Sequence, residues 1–277
     1  VPPPDPDPMP APLSLALVGT GRMGQAVAAV AQERGHTVAA RFDADHPFLD
    51  ASDEEITAAD VFVDFSDPSV ALAHVEAYAD HGLRAVVGTT GWTADLDRIR
   101  VRVEAGGGAV VWAPNFSLGV ALVERALRGL LPLLDRLGGP EAGGYDAYVH
   151  EVHHTAKLDS PSGTALRLAD VLVGGLARKT RVEAEAVHGR IDPAALHVSS
   201  TRAGRVAGEH TVGLESAVDQ ILITHRATDR RAFAAGAVTS AEWLAGERLA
   251  GRTGFFTLDD VLGGVGGVGN GARESDL

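Results

Sequence analysis

Cysteine is absent from the sequence. Because disulfides and thiolate metal sites both need thiols, both are excluded, and the composition fits a reducing cytoplasm. Long apolar runs are also missing, and no basic segment leads into an apolar one, so neither a membrane span nor a secretory leader is predicted. The formal net charge of −13 disfavours broad nucleic-acid binding. We therefore expect a cytoplasmic protein without membrane or nucleic-acid partners.

Lysine is nearly absent, since the 24 basic residues include only Lys157 and Lys179. An ammonium is a compact donor with three rotatable hydrogens, which a guanidinium fork does not reproduce. Lys157 lies in residues 153–165, HHTAKLDSPSGTA, together with two histidines and a predicted helix start. This segment is therefore the strongest indication of chemistry in the chain.

Both ends of the chain lack the patterns of packed structure. Residues 1–12 hold seven prolines and two aspartates, which predicts a disordered tail. Residues 263–277 are rich in glycine, which predicts a second, flexible tail.

The segment after the first tail has a dinucleotide-binding pattern. A strand at residues 13–18 is followed by Gly19-Thr20-Gly21-Arg22-Met23-Gly24, a helix at 25–34 and a strand at 37–42 that ends at Asp43. G-x-G-x-x-G allows a tight turn and brings the backbone close to a pyrophosphate at a helix N-terminus. Asp43 follows Gly24 by 19 residues, near the spacing of the acid that holds a ribose 2′-hydroxyl.

Three further strands, at 61–65, 85–87 and 109–112, each lead into a loop, and residues 102–108 are expected to be a short connection. Ligands of parallel α/β sheets bind outside the carboxyl ends of the strands. The loops therefore add these cofactor candidates: Phe65, Ser66, Gly88, Thr89, Thr90, Ala113, Pro114, Asn115 and Phe116.

The second half of the chain changes character. Helices are predicted at 120–137, 162–178 and 230–249, and strands at 145–154, 197–202, 209–214 and 220–226. Consecutive strands with short links favour antiparallel pairing. The predicted fold class is α/β: a Rossmann-type domain of residues 13–116 and 231–262, and an α+β domain of residues 117–230 with a mixed or antiparallel sheet.

Residues 150–154, HEVHH, formally match the zinc-protease pattern H-E-x-x-H. That chemistry needs a helix, which sets both imidazoles one turn apart on one face. Two tyrosines and two valines favour a strand instead, although His150 and His154 would share a face there too. We predict no metal and keep a zinc hydrolase as an alternative.

Downstream, Ser162 can cap a helix whose first N–H groups, near Gly163 and Thr164, suit a carboxylate. His153, His154 and Lys157 precede it. We interpret the segment as a pocket for a small acid with an imidazolium proton donor. The alternative is a capped helix with surface histidines.

Residues 151–165 have the pattern E-x-H-H-x-x-K-x-D-x-P-S-G-T-A, and the chain also contains Gly88-Thr89-Thr90-Gly91-Trp92, Asn115-Phe116-Ser117 and an arginine, Arg230, ahead of Phe233-Ala234. Over about residues 13–262 the chain resembles the 4-hydroxy-tetrahydrodipicolinate reductase (dihydrodipicolinate reductase) family. Ser160 stands where that family's pattern has alanine.

The resemblance implies an NAD(P)H-dependent oxidoreductase of diaminopimelate and lysine biosynthesis that reduces 4-hydroxy-tetrahydrodipicolinate to tetrahydrodipicolinate. It also implies a homotetramer built through the second domain's sheet. By position, His153 resembles the family's proton donor, with Lys157 sharing that role. The remaining implied contacts to the dicarboxylate are His154, Lys157, Gly163, Thr164 and Arg230.

The choice of nicotinamide nucleotide stays open. Asp43 favours NADH and would repel a 2′-phosphate, whereas Arg22 and Arg41 could hold that phosphate. We expect use of both nucleotides, with a preference for NADH. Two alternative functions remain: another two-domain nicotinamide dehydrogenase of a small amino or dicarboxylic acid, and a non-catalytic NAD(P) sensor.

Overall fold

The computed structural model describes residues 11–246 and 253–264. They form two compact units, one running to Phe116 and resuming at Phe233, the other spanning Ser117–Ala232. Within the described ranges, no helix has both the length and the apolar character needed to cross a membrane.

Unit 1 is built on a six-stranded sheet whose bonded neighbours all run parallel. The strands of this sheet are β1 (Ser14–Val18), β2 (Thr37–Phe42), β3 (Val61–Asp64), β4 (Arg84–Val87), β5 (Ala109–Trp112) and, after the strands of unit 2, β11 (Gly254–Phe256). Their order in the sheet is β11-β5-β4-β3-β1-β2. All four residues of β3 are buried, as expected for a strand covered on both faces.

Four of the helices described in this unit connect strands β1 to β5, and two more follow later in the chain. They are α1 (Arg22–Glu33), α2 (Asp53–Thr57), α3 (Pro68–Asp80), α4 (Leu96–Gly106), α7 (Arg231–Ala245), which begins in the last residues of unit 2, and α8 (Leu258–Gly264). Local chemistry defines the start of α3, where the Asp67 side chain accepts a hydrogen bond from the Ser69 N–H at 2.9 Å and Pro68 takes the first turn.

The expected short connection at residues 102–108 is wrong, because most of it belongs to α4. Only Ile99 and Val103 of this helix are buried, one helical turn apart. Five of the other nine residues are charged, so the apolar stripe is too narrow to stand out in the sequence.

Unit 2 is an α+β unit whose elements are α5 (Leu118–Leu137), β6 (Asp146–His153), α6 (Gly163–Gly175), β7 (Arg181–Glu183), β8 (Ala195–Arg202), β9 (Gly208–Glu215) and β10 (Gln220–Ala227). The strands form a five-stranded mixed sheet in the order β10-β9-β6-β8-β7. The expected pairing of consecutive strands holds for β9 with β10. It is wrong for β8 and β9, because β6 lies between them, parallel to β8 and antiparallel to β9.

The core of unit 2 lies between the sheet and helices α5 and α6. Leu127, Leu168 and Leu172 from the helices pack with Val149 and Val212 from the strands. Burial alternates strictly along β6. Since alternate residues of a strand share a face, Glu151 and His153 are on the buried, helix-covered face with Val149.

The predicted fold class, a Rossmann-type sheet with a second α+β part, is confirmed. The predicted glycine-rich tail needs a correction, since Gly263 and Gly264 end α8. Residues 1–10 and 265–277, where most of both predicted tails fall, lie outside the described residues.

Candidate functional site

The glycine loop of unit 1 follows β1. Gly19 has φ +96°, and a Cβ there would collide with the backbone of Phe65; a Cβ on Gly24 would collide with the carbonyl of Gly19. Gly21 differs, since a Cβ there would meet nothing within 4 Å. The outer glycines are therefore required by packing, and Gly21 leaves the space before the helix open.

That open space faces the start of α1. Gly21 is the N-cap residue and contributes no side-chain acceptor to the first N–H groups of the helix. Unpaired N–H groups at a helix N-terminus bind phosphate. The loop therefore fits the pyrophosphate of a dinucleotide.

Asp43 directly follows β2. One of its carboxylate oxygens accepts a hydrogen bond from Thr20 Oγ1 at 2.9 Å, and the other accepts from the Asp45 and His46 N–H groups at 3.0 and 3.2 Å. The hydrogen bond from Thr20, reinforced by these two N–H groups, holds the pKa of Asp43 below its usual range. The exposed carboxylate is therefore ionised and held in place beside the glycine loop.

The loops after β3 and β4 are joined by a buried carboxylate that sequence reasoning did not select. Asp64 accepts hydrogen bonds from the Ser66 N–H at 2.9 Å, Thr89 Oγ1 at 3.2 Å, Tyr78 Oη at 2.9 Å and His74 Nδ1 at 3.0 Å. Burial raises the pKa of Tyr78 well above its usual value, with a smaller contribution from Asp64. Asp64 thus fixes two of the predicted cofactor loops to each other.

The other predicted cofactor residues follow the same ends of the strands. Phe65 packs against Phe116 with the ring centroids 6.0 Å apart, and a side chain at Gly88 would collide with the Phe65 ring. The sheet therefore gathers the loops after β1 to β5 at one edge, where α/β sheets bind nucleotides. The predicted cofactor residues at that edge are Gly19 to Gly24, Asp43, Phe65, Ser66, Gly88 to Thr90 and Ala113 to Phe116. Arg41 lies exposed near the end of β2.

In unit 2, His153 is the last residue of β6 and is 7% exposed. Its Nδ1 is hydrogen-bonded to Glu151 Oε2. Burial lowers the pKa of His153 below its usual value, and the Glu151 charge opposes that effect. The ring is a titratable group held at the end of a rigid strand.

Lys157 lies in the loop after His153. Its Nζ forms an ion pair with Asp159 at 2.8 Å, and its backbone N–H donates to the His154 carbonyl at 3.1 Å. Burial would raise the pKa of Asp159, but the hydrogen bond and charge of Lys157 outweigh it and the pKa is lowered. Since 23% of the Lys157 side chain and 56% of the Asp159 side chain are exposed, the ion pair lies at the surface, where an incoming carboxylate can meet it.

The loop ends at the start of α6. The Ser162 side chain accepts a hydrogen bond from the Ala165 N–H at 3.2 Å, as predicted for a cap. Gly163 is exposed and Thr164 half-buried at the first helical positions. His153, His154, Lys157, Gly163 and Thr164 thus belong to one strand-loop-helix segment, whereas Arg230 is exposed in the turn before α7 and its role stays a prediction.

The H-E-x-x-H pattern lies on a strand. His150 is in β6, its Nδ1 is 2.9 Å from Ser199 Oγ, and four residues of strand separate its Cα from that of His154 by about 13 Å. One zinc ion cannot bridge that separation. Glu151, His153 and His210 do bring ligand-type atoms within 4.8 Å of one another. Glu151 Oε2 and His153 Nδ1 already form a hydrogen bond with each other.

Three residues around His153 were missed by sequence reasoning: Glu151, Arg202 and His210. Arg202 donates to Glu151 Oε1 at 2.9 Å, and His210 Nε2 lies 3.1 Å from Ser162 Oγ. Burial lowers the pKa of His210 to about 4. For Glu151 a signal existed, since residues two apart on a strand share a face.

Unit 1 has a sheet edge of the kind that binds dinucleotides, and unit 2 has a cationic cluster that can donate a proton. This organisation is typical of two-domain nicotinamide-dependent oxidoreductases. Family models described as "Dihydrodipicolinate reductase, N-terminus" and "Dihydrodipicolinate reductase, C-terminus" match residues 13–116 and 119–262. The chain belongs to the dihydrodipicolinate reductase family, as the sequence motifs indicated.

Individual relatives agree with this assignment. A 4-hydroxy-tetrahydrodipicolinate reductase of Christiangramia forsetii is 36% identical over 88% of this chain and 95% of its own length. One of Myxococcus xanthus is 40% identical over 88% of this chain and 87% of its own length. Among solved structures, dipicolinate-bound dihydrodipicolinate reductase from Paenisporosarcina sp. TG-14 has a TM-score of 0.69 at 21% identity, covering 89% of this chain and 97% of that one, which supports the fold.

Proposed function

We propose that the protein reduces 4-hydroxy-tetrahydrodipicolinate to tetrahydrodipicolinate with NAD(P)H, a step of diaminopimelate and lysine biosynthesis. Loss of water breaks the ring C–O bond and leaves a conjugated imine dicarboxylate. A hydride and a proton then form two new C–H bonds. Each turnover therefore consumes one reduced nucleotide and one proton and releases one water.

The observation that carries the proposal is the union of a buried imidazole, an ammonium and a helix N-terminus in one segment. His153 ends β6, Lys157 follows in the loop, and Ser162 begins α6. A non-catalytic nucleotide sensor would need the glycine loop of unit 1 but not this cluster. A doubly charged, proton-accepting substrate uses every part of it.

In unit 1, the N–H groups at the start of α1 would hold the pyrophosphate, and Asp43 would accept a hydrogen bond from a ribose hydroxyl. The nicotinamide would be lined by residues from the loops after three strands: Phe65, Thr89 and Asn115. When bound, the reduced nucleotide supplies the hydride. These residues orient it and exclude water from it.

In unit 2, the Lys157 ammonium would bind one substrate carboxylate. The first N–H groups of α6, at Gly163 and Thr164, would bind the other by displacing Asp159, which accepts a hydrogen bond from the Gly163 N–H in the ligand-free protein. Both contacts offset negative charge and make the ring more electrophilic toward a hydride. His154 and Arg230 are further candidates for the same dianion.

His153 would deliver the proton. Burial lowers the pKa of its imidazole in the ligand-free protein. Two substrate carboxylates would favour the charged imidazolium and so oppose that effect. A group poised in this way gains its proton when substrate binds and gives it up as the ring is reduced.

The proposal is tested by following NADH absorbance with the freshly generated condensation product of aspartate semialdehyde and pyruvate. We expect turnover with this compound, and none above background with aspartate semialdehyde and NADH or with homoserine and NAD+. Turnover of aspartate semialdehyde or homoserine in its place would favour the alternative of a different two-domain dehydrogenase.

For cofactor preference, we propose that both nucleotides are used and that NADH is preferred. Replacing Asp43 by alanine removes an acceptor for the 2′-hydroxyl and a charge that repels a 2′-phosphate. We expect the ratio of kcat/KM for NADH to that for NADPH to fall about tenfold, the order of effect of one hydrogen bond to a charged group. Asp45→Ala, in the same exposed loop, is the matched control. A strong preference of the unchanged protein for NADPH would contradict the role given to Asp43.

The proposal also includes a homotetramer and a cytoplasmic location, as the family resemblance implies. The exposed side chains of Ile221 and Leu222 on β10, 39% and 53% accessible, support an assembly through the sheet of unit 2. Light scattering of the purified protein tests the tetramer, and a monomeric mass would contradict it.

A further inference from the structure

A fully buried carboxylate lies beside the proposed proton donor. Glu151 is 0% exposed and shares a face of β6 with His153. Its Oε2 is hydrogen-bonded to His153 Nδ1. Its Oε1 accepts hydrogen bonds from the Ser162 N–H at 3.1 Å and from the Arg202 guanidinium at 2.9 Å.

We propose that Glu151 is a positioning residue that holds His153 in the Nδ1–H form, so that Nε2 is the nitrogen that transfers the proton. The inference rests on the proposed function only for the reaction in which that proton is used. The tautomer itself is a property of the ligand-free protein.

The hydrogen-bond inventory leads to this tautomer. An ionised carboxylate accepts hydrogen bonds and donates none, so the His153 nitrogen that meets it must carry the hydrogen. Burial would raise the pKa of Glu151, but hydrogen bonds that include the one from Arg202, together with the charge of His153, outweigh it and give a pKa of about 2. Glu151 is therefore ionised at neutral pH, and His153 Nδ1 is its donor.

The opposite side of the ring is kept clear by a glycine. At Gly208, the first residue of β9, φ is +155°, and a Cβ would lie 3.0 Å from His153 Nε2. Any larger residue would press on the nitrogen that remains free once Nδ1 is bound to Glu151. The backbone of β9 thus leaves Nε2 unobstructed on that side.

The charged and titratable groups around His153 come from several elements. Of these, the Glu151 charge favours the imidazolium, whereas the charges of Lys157 and Arg202 oppose it. The His210 ring lies 5.0 Å away, centroid to centroid, and Asp159 is paired with Lys157. Glu151 is thus the acidic partner in direct contact with the ring.

Glu151→Gln tests the proposal because an amide, unlike a carboxylate, cannot accept hydrogen bonds at both of its terminal atoms. The Ser162 N–H and the Arg202 guanidinium are donors, so they require the amide oxygen at the position of Oε1. The amide NH2 must then face His153 Nδ1 and donate to it. We expect the neutral ring to switch to the Nε2–H tautomer and the His153 titration to move to lower pH.

Two measurements read these changes. Nitrogen-15 NMR of the ligand-free protein reports the tautomer and the titration midpoint of His153, and the pH profile of kcat/KM reports the proton-donating form. In Glu151→Gln we expect kcat/KM to fall roughly 10²–10⁴-fold at neutral pH. Activity, present while His153 is protonated and lost as pH rises through its pKa, should disappear at lower pH than in the unchanged protein.

Glu124→Gln is the matched control, since Glu124 is also buried in unit 2, where it pairs with Arg167 at 2.7 Å. It should leave the tautomer and the pH profile unchanged. Glu151→Asp keeps the charge and should retain the Nδ1–H form with partial activity. If Glu151→Gln does not fold, the tautomer of the unchanged protein decides: Nδ1–H supports the proposal and Nε2–H overturns it.

Failure of this inference and failure of the proposed function give different results. If Glu151→Gln is active and changes neither the His153 tautomer nor the pH profile, the positioning role is overturned and the proposed reductase activity still stands. An unchanged protein inactive on the condensation product overturns the reductase, while the NMR result still reports on Glu151.

Discussion

Replacing His153 by glutamine is expected to lower kcat about 10²–10⁴-fold, the usual effect of losing a general acid. Glutamine preserves much of the shape of the side chain and can still form hydrogen bonds. It cannot transfer a proton near neutral pH, which is the role we assign to the buried imidazole at the end of β6. Because substrate binding relies on other groups, KM should change much less than kcat. Steady-state NADH oxidation measures both constants.

His150→Gln is the matched control for this experiment. His150 lies on the same strand but on the opposite face, where its Nδ1 is 2.9 Å from Ser199 Oγ. The same substitution there should leave kcat within about threefold, since most changes away from a site have small effects. Equal kcat values for His153→Gln and the unchanged protein would remove His153 from the chemistry.

Lys157→Ala is expected to reduce kcat/KM roughly 10²–10³-fold, mainly through KM for the dicarboxylate. Truncating one partner of a hydrogen-bonded charge pair has effects of this size. The Lys157 side chain is only 23% exposed and already pairs with Asp159, so the ammonium is held where it can bind a second carboxylate. If Lys157 also takes part in proton transfer, kcat of Lys157→Ala should decrease as well. Initial rates over a range of substrate concentrations separate the two constants.

Lys157→Arg distinguishes charge from shape at this position. A guanidinium keeps the positive charge but replaces a compact ammonium by a planar fork, so we expect an intermediate KM. Lys179 cannot serve as the control, because its Nζ is buried in an ion pair with Asp146 at 2.6 Å and its loss would destabilise unit 2. A KM unaffected by Lys157→Ala would contradict the binding role of the ammonium.

The predictable parts of the fold are those determined locally. The predicted bounds of β2 and β5 agree with the structure, because glycine, proline and aspartate mark the ends of short apolar runs. The order of strands in unit 2 was not predictable in this way. Insertion of β6 between β8 and β9 depends on pairing between residues far apart in the chain, which no local pattern encodes.

The residues of the candidate site also differ in whether local sequence predicts them. His153, Lys157 and Ser162 could be selected from the sequence because one strand-loop-helix segment carries them all. Arg202 and His210 reach Glu151 and Ser162 only through the register of β8 and β9 against β6. Their contribution therefore became visible only with the sheet in place.

The most direct test of the account is to run the reduction with NADH deuterated at C4 of the nicotinamide and to measure the mass of the product. Direct transfer of the hydride to the ring predicts a tetrahydrodipicolinate that is one mass unit heavier when the transferred face carries the label. NADH oxidation that leaves no deuterium in the product with either face labelled would contradict it.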